Sequence, residues 1–166
     1  MILIGMAPFL VMSFINGIKD ITKNGAIPIN IINFGGIMKS NFYFHNPISK
    51  KDLNSLSQKK LPEEYLNFLE ISNGAILFDN EFKGVPLGAA CKIYSSSDLK
   101  ITGTIQKVPI LLLQDIGEMF IDLNRYKKNI EYLSYPGIEA DKYFSFSFCD
   151  WLEKYIVSSG NEFWKW

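Results

Sequence analysis

Histidine is nearly absent from this chain of 166 residues: His45 is the only one, and cysteine occurs twice, at Cys91 and Cys149. Zinc sites draw on clustered Cys and His, and neither a Cys-x-x-Cys nor a His-Glu-x-x-His spacing occurs. A Ser–His–Asp triad would have to recruit His45, which sits beside Asn46-Pro47 in a connecting turn and reads more simply as a strand-end histidine. Two widely spaced cysteines do not make the dense framework of a small secreted domain. Flanked by Ala89-Ala90 and by Phe146-Ser147-Phe148, they read as buried reduced thiols, which suits a cytoplasmic location. An excess of charge is also missing, since 17 basic residues balance 17 acidic ones. Nothing in that balance pulls towards phosphate backbones, so nucleic acid is not an expected partner.

Other signatures are lacking too. Gly84-Val85-Pro86-Leu87-Gly88 has no Lys-Ser/Thr to complete a phosphate loop, and no strand–GxGxxG–helix unit occurs. The acid pairs Glu118/Asp122 and Glu139/Asp141 fall on short strands and turns and read as solvated carboxylates. Arg125, Lys127 and Lys128 read as a solvated hairpin tip. These readings predict no catalytic residues, no metal and no cofactor. Met1 to Ile15 is uncharged but shorter than the roughly 18 residues a membrane-spanning helix needs. Its first base, Lys19, follows the apolar run and no small-x-small cleavage site closes it. A buried helix is the expectation, and no membrane partner.

Apolar residues make up 48% of the chain, enough to fill one core, and the length fits a single domain over residues 1–166. A helix is predicted over 7–23, stopped by Asn24-Gly25, and then the texture turns to β at 27–32 and 41–44 around Gly35-Gly36. Two helices follow, over 49–59 with Ser49 as cap and over 62–72 with Pro62 at the first helical position. Strands are predicted at 75–78, 89–94, 108–113, 119–123, 130–134 and 142–145. Turns are expected at Asp79-Asn80, Gly84 to Gly88, Ser95 to Asp98, Asp115-Ile116-Gly117 and Pro136-Gly137. A last helix over 148–158 is capped by Ser147 and stopped by Gly160, with Trp151, Leu152, Tyr155 and Ile156 on its buried stripe. Helices and strands are segregated, so the class is α+β, with one antiparallel sheet of about five to six strands and helices packed against it.

One segment says more. Leu61-Pro62-Glu63-Glu64-Tyr65 continues through Phe68-Leu69 to Asn73-Gly74, and Ile93-Tyr94-Ser95, Gly117 with Ile121-Asp122-Leu123, and Phe146-Ser147-Phe148 to Trp151-Leu152 follow in order. This set resembles the SUKH superfamily, to which the Smi/Knr-type yeast cell-wall regulators belong, with a family-like core at 48–157 and an N-terminal elaboration at 1–45. Gly74 is followed by Ala75 where the family often has a second Gly. The resemblance implies that Leu61, Pro62, Tyr65, Phe68, Leu69, Asn73, Gly74, Asp122, Trp151 and Leu152 are fold residues. It also implies a bacterial immunity protein that neutralises a polymorphic or contact-dependent toxin domain by binding it. A regulatory or scaffold module of the cell-wall kind is the alternative. The predicted partner surface combines aromatics with acids: Asp115, Glu118, Glu131, Tyr132, Tyr135, Glu139 and Asp141, on the meander. Such acids would suit the basic groove of a nuclease toxin. Phe163, Trp164 and Trp166 in the tail are either further interface anchors or a cap on the core.

Overall fold

Strands tend to pair with their sequence neighbours, and every described strand here does so, although two helices separate the second strand from the third. The computed structural model describes residues 29–33, 38–59, 61–83, 85–101, 107–123, 133–135, 142–144 and 146–165. Eight strands, β1 (Ile29–Asn33), β2 (Met38–Phe44), β3 (Ala75–Phe82), β4 (Val85–Ile93), β5 (Lys107–Leu113), β6 (Gly117–Asp122), β7 (Leu133–Tyr135) and β8 (Lys142–Phe144), form one antiparallel sheet in sequence order. The six strands β1–β6 carry its bulk, and β7 and β8 add three residues each at one edge. The predicted α+β class with a single antiparallel sheet is what the chain adopts. The predicted helix over 7–23 and the Gly35-Gly36 turn lie outside the described residues.

Three helices are described: α1 (Lys50–Ser57), α2 (Glu63–Ile71) and α3 (Phe148–Val157), followed by a 3₁₀ turn at Phe163–Lys165. The caps are those expected, because Ser49 Oγ accepts from Asp52 N–H and Ser147 Oγ from Asp150 N–H, each at 3.1 Å. Pro62 is not the first helical residue: its extended ψ of 139° makes it the N-cap of α2. This costs α2 no hydrogen bond, since a proline outside the helix withholds no needed N–H. Tyr65, Phe68 and Leu69 bury one face of α2, and Phe148, Trp151, Leu152 and Tyr155 bury one face of α3. The helices meet through Phe148, whose ring lies edge-on to Tyr65 at 5.0 Å and to Phe68 at 5.4 Å. Glu64 joins them as well, accepting the Cys149 N–H at 3.0 Å in the first turn of α3. Two expectations of burial are corrected: Ile156 and Cys149 are half-buried, because each lies at the margin of the α3 stripe. Helix α1 buries no residue outright and rests on the core through Leu53 and Leu56.

The predicted turns at Asp79-Asn80 and at Gly88 are not turns. Strand β3 runs on to Phe82, which pairs with Val85, and the reversal begins at Lys83, φ +50°. Asn80 is held within the strand by Ser40 Oγ, which donates to its Oδ1 at 2.7 Å. Gly88, φ +89°, lies in β4 beside a shift of register against Asn80 and Glu81, a bulge that glycine accommodates without strain. Bulges also break the alternation of burial. Leu77 and Phe78 of β3 together oppose Phe42 of β2, and all three are buried. Ile110 is the extra residue of β5 between the Pro109–Phe120 and Leu111–Met119 pairs, and Val108 to Leu111 are buried in succession.

The end of α2 is tied to the end of β4. Gly74 has φ +94°, and a Cβ there would stand 2.9 Å from both Ile93 O and Ser95 N. Neither backbone atom can step aside as a flexible side chain would. Gly74→Ala should therefore destabilise the protein by about 1–3 kcal/mol from the left-handed backbone alone. Thermal melting checks this, and a wild-type midpoint would mean that the β4 end yields. Phe68→Ala, which empties a core position, should cost about 3–5 kcal/mol.

Candidate interaction surface

Pairing in the sheet sorts side chains into rows. Phe44, Ala75, Ile93, Leu111 and Met119 pair across five strands and are all buried, as are Leu77, Cys91 and Leu113 two residues along. The row between them is Tyr43, Ile76, Lys92, Leu112 and Glu118. Successive residues of a strand face opposite sides, so this row lies on the other face. None of its members is buried. The described helices cover the side of the buried rows, and among the described residues this row is the open one.

Polar contacts fix the side chains of the open row. The Tyr94 hydroxyl donates to Glu118 Oε1 at 2.7 Å, and Lys92 Nζ lies 5.4 Å from the Tyr94 ring centroid. Lys92 also pairs with Asp98 Oδ1 at 3.3 Å. Asp98 closes its own turn, accepting from Ser95 N–H at 3.0 Å and from Ser95 Oγ at 2.8 Å. Burial pushes the Asp98 carboxyl up, but the Ser95 amide, its hydroxyl and Lys92 together outweigh burial and hold it below the usual carboxylate range. Tyr94 moves the other way, raised by burial and then by its bond to Glu118 and by the nearby carboxylates. It keeps its proton, and Glu118 keeps a donor.

Among the predicted partner residues, Asp115 is exposed in the β5–β6 turn and Glu118 is half-buried on β6. The backbone of Tyr135 lies in β7, where Tyr135 pairs with Lys142. Glu131, Tyr132, Glu139 and Asp141 lie outside the described residues, as do Arg125, Lys127, Lys128 and Trp166. The structure therefore brings Asp115 and Glu118 to one hairpin and describes no wider acidic face. Asp122 is corrected: it is buried on β6 and is not a solvated carboxylate. Phe163 and Trp164 are half-buried and cap the core. Trp164 lies 5.4 Å from Phe144 and 6.3 Å from Trp151 by ring centroids, and Phe163 lies 6.0 Å from Phe146. Lys92, Tyr94, Asp98 and Leu112 are not among the residues predicted around Glu118. The signal for Asp98 was the Ser-Ser-Ser-Asp turn itself, and for the others the strand alternation.

His45 is a structural link. Its Nδ1 lies 3.0 Å from Asn73 O, so that nitrogen carries the proton, while its amide donates to Ser72 Oγ at 3.0 Å. Burial pushes the Cys91 thiol up, which suppresses its thiolate. Among the described residues no group of three or more His, Cys, Asp or Glu side chains is placed to hold a metal ion. No described helix is long and apolar enough to cross a membrane.

No protein-family model matches the chain, and no solved structure matches it significantly. The chain is similar to the uncharacterized protein YobM of Bacillus subtilis (strain 168), with 26% identity over 167 residues that cover 92% of this chain and 89% of that protein.

A carboxyl held below its ordinary pKa stabilises the folded state above the unfolded-state value and loses that contribution as pH falls through the folded-state value. Asp98 should therefore add to acid lability below about pH 4. Melting temperature followed across the acid range should fall less steeply for Asp98→Asn than for the wild type. Parallel curves would show that the Ser95–Lys92 bonds do not favour the carboxylate.

Proposed function

We propose that this protein is a non-catalytic, cytoplasmic immunity protein of the SUKH type, which neutralises a cognate polymorphic or contact-dependent toxin domain by binding it directly. The observation that carries the reading is the convergence of three motif residues. Tyr65 Oη donates to Tyr94 O at 3.0 Å, Asn73 Oδ1 accepts from Ser96 N–H at 2.7 Å, and Gly74 packs against Ile93 and Ser95. Residues that resemble one family's ordered motif thus perform one joint structural task, which favours the resemblance over a chance match of short strings. The open sheet face supports a binding role. A flat, half-exposed row with side chains already oriented loses little conformational freedom when a partner covers it.

Such a protein acts by occupancy, so its effect requires a stoichiometric complex. Co-expression with a toxin domain encoded beside it should restore growth to cells that the toxin alone arrests, and the two should purify as one species. Glu118→Lys should slow association and weaken its dependence on salt, because acidic residues steer a basic partner. A toxin that arrests growth equally with and without this protein, together with no complex on co-purification, would overturn the reading.

A further inference from the structure

A cleft opens where the tail meets the sheet. It is lined by Gln114, Asp115 and Ile116 of the β5–β6 turn, by Tyr155 of α3, and by Glu162 and Trp164 of the tail. The reversal at Gly160, φ +81°, returns the chain after α3, so that two carboxylates distant in sequence share one cleft. Tyr155 is the residue that points to a ligand. It is only 2% exposed, its ring is stacked on Trp151 at 4.9 Å, and among the described residues its hydroxyl has no hydrogen-bond partner. A buried hydroxyl is costly to leave in that state. Burial above all raises its pKa, and Cys91, Asp115 and Glu162 add to that, so the hydroxyl keeps its proton in a negative field. Among the described residues no Lys or Arg lines the cleft, and the ammonium of neighbouring Lys154 lies over the Phe146 ring, 5.5 Å from its centroid. Asp115, exposed at the turn, forms no ion pair among the described residues.

We propose that this cleft, with its two carboxylates, buried tyrosine hydroxyl and indole, receives the guanidinium of an arginine side chain presented by a protein partner. The cation forks between the Asp115 and Glu162 carboxylates, gives an N–H to the Tyr155 oxygen, and sets its flat face against Trp164. A lysine ammonium, a compact and strongly hydrated charge, cannot fork and stack at once. Size names the source. The cleft holds about 270 Å³, counting the solvent at its mouth, whereas pockets that enclose a whole small molecule begin at roughly 300 Å³. One side-chain head enters and the rest of the ligand stays outside. The site goes beyond the toxin-binding reading and does not depend on it, since none of its lining residues belongs to the open row of the sheet.

Titration of the isotope-labelled full-length protein with arginine capped as its acetyl methylamide, followed by amide and indole NMR shifts, tests the site. The Asp115 and Ile116 amides and the Trp164 indole should shift saturably. The capped citrulline analogue, a neutral isostere, should move none of them. Asp115→Asn/Glu162→Gln should weaken binding at least about tenfold, because two charge-assisted bonds are lost. Asp115→Asn alone, in an exposed turn, should weaken it in the same direction and provides the test if the double variant does not fold. Glu63→Gln, which removes an exposed carboxylate outside the cleft, should leave the affinity unchanged. Free arginine should bind no tighter than the capped residue. A gain of about tenfold for free arginine would show that its α-amino and carboxylate groups are read, and would overturn the protein partner. No saturable shift, equal binding of the citrulline analogue, or wild-type affinity in the Asp115 and Glu162 variants would overturn the site itself.

Discussion

The junction between the end of α2 and the end of β4 is the constraint on which the rest depends. Ser72, fully buried, accepts from His45 N–H and donates to the Gly74 carbonyl at 2.6 Å, which locks the exit of β2 to the exit of α2. Gly74 then turns the chain into β3 at a point where no side chain fits, and Asn73 and Tyr65 reach across to hold residues 94–96. Helix, first hairpin and sheet centre are thereby set by contacts within a few residues of Asn73-Gly74. The Tyr65–Tyr94 and Ser72–Gly74 bonds are buried, and leaving such a group unpaired costs about 1–3 kcal/mol. The junction tolerates little change.

The two faces of the sheet follow from it. Because Ile93 is held under α2, its row faces the helices and Lys92 must face away. The core side is then completed by bulges at Phe42–Leu77–Phe78 and at Ile110, which turn extra apolar residues inward. Phe78 accepts φ +53° there, an unusual conformation for an aromatic residue, and its ring packs edge-on to Phe42 at 4.7 Å and Tyr155 at 5.6 Å. The same junction presents Tyr94 to Glu118 on the open side. One short segment, 93–98, therefore couples core packing to the surface row.

Element types were largely legible in the sequence because the signals are local. Ser49 and Ser147 cap as their spacing indicates, Asn73-Gly74 ends α2, and the strand segments alternate with turn residues. The two expected turns that are strand instead share a cause, since turn chemistry does not report strand pairing. Asp79-Asn80 looks like a turn alone, but Ser40 of the neighbouring strand satisfies Asn80. Gly88 looks like a loop glycine, but it serves a bulge. Both depend on strand partners that no local window contains. The surface was less legible still. Asp115 and Glu118 are both expected on a partner surface, but only Asp115 is exposed; Glu118 is half-buried and bonded to Tyr94, a contact no local window contains. Of the two readings open for the tail aromatics, the cap on the core is the one found for Phe163 and Trp164, which cover Phe144, Phe146 and Trp151.

That contrast separates two kinds of apolar surface. Beyond α3, Gly160 (φ +81°) turns the chain back, with its amide donating to Tyr155 O at 2.9 Å, and the following residues lay Phe163 and Trp164 over the aromatic end of the core. No described element turns back over Phe82, Val85 and Leu87, even though covering such side chains contributes about 1.5–3 kcal/mol each. A fold that closes one end with its own aromatics and leaves aliphatic residues bare at another has a structural reason for the first only. Tyr65, Asn73 and Gly74 are committed to the α2–β4 junction. Under the proposed binding role, partner choice resides in side chains away from the junction, where exposure leaves sequence free to vary without loss of packing.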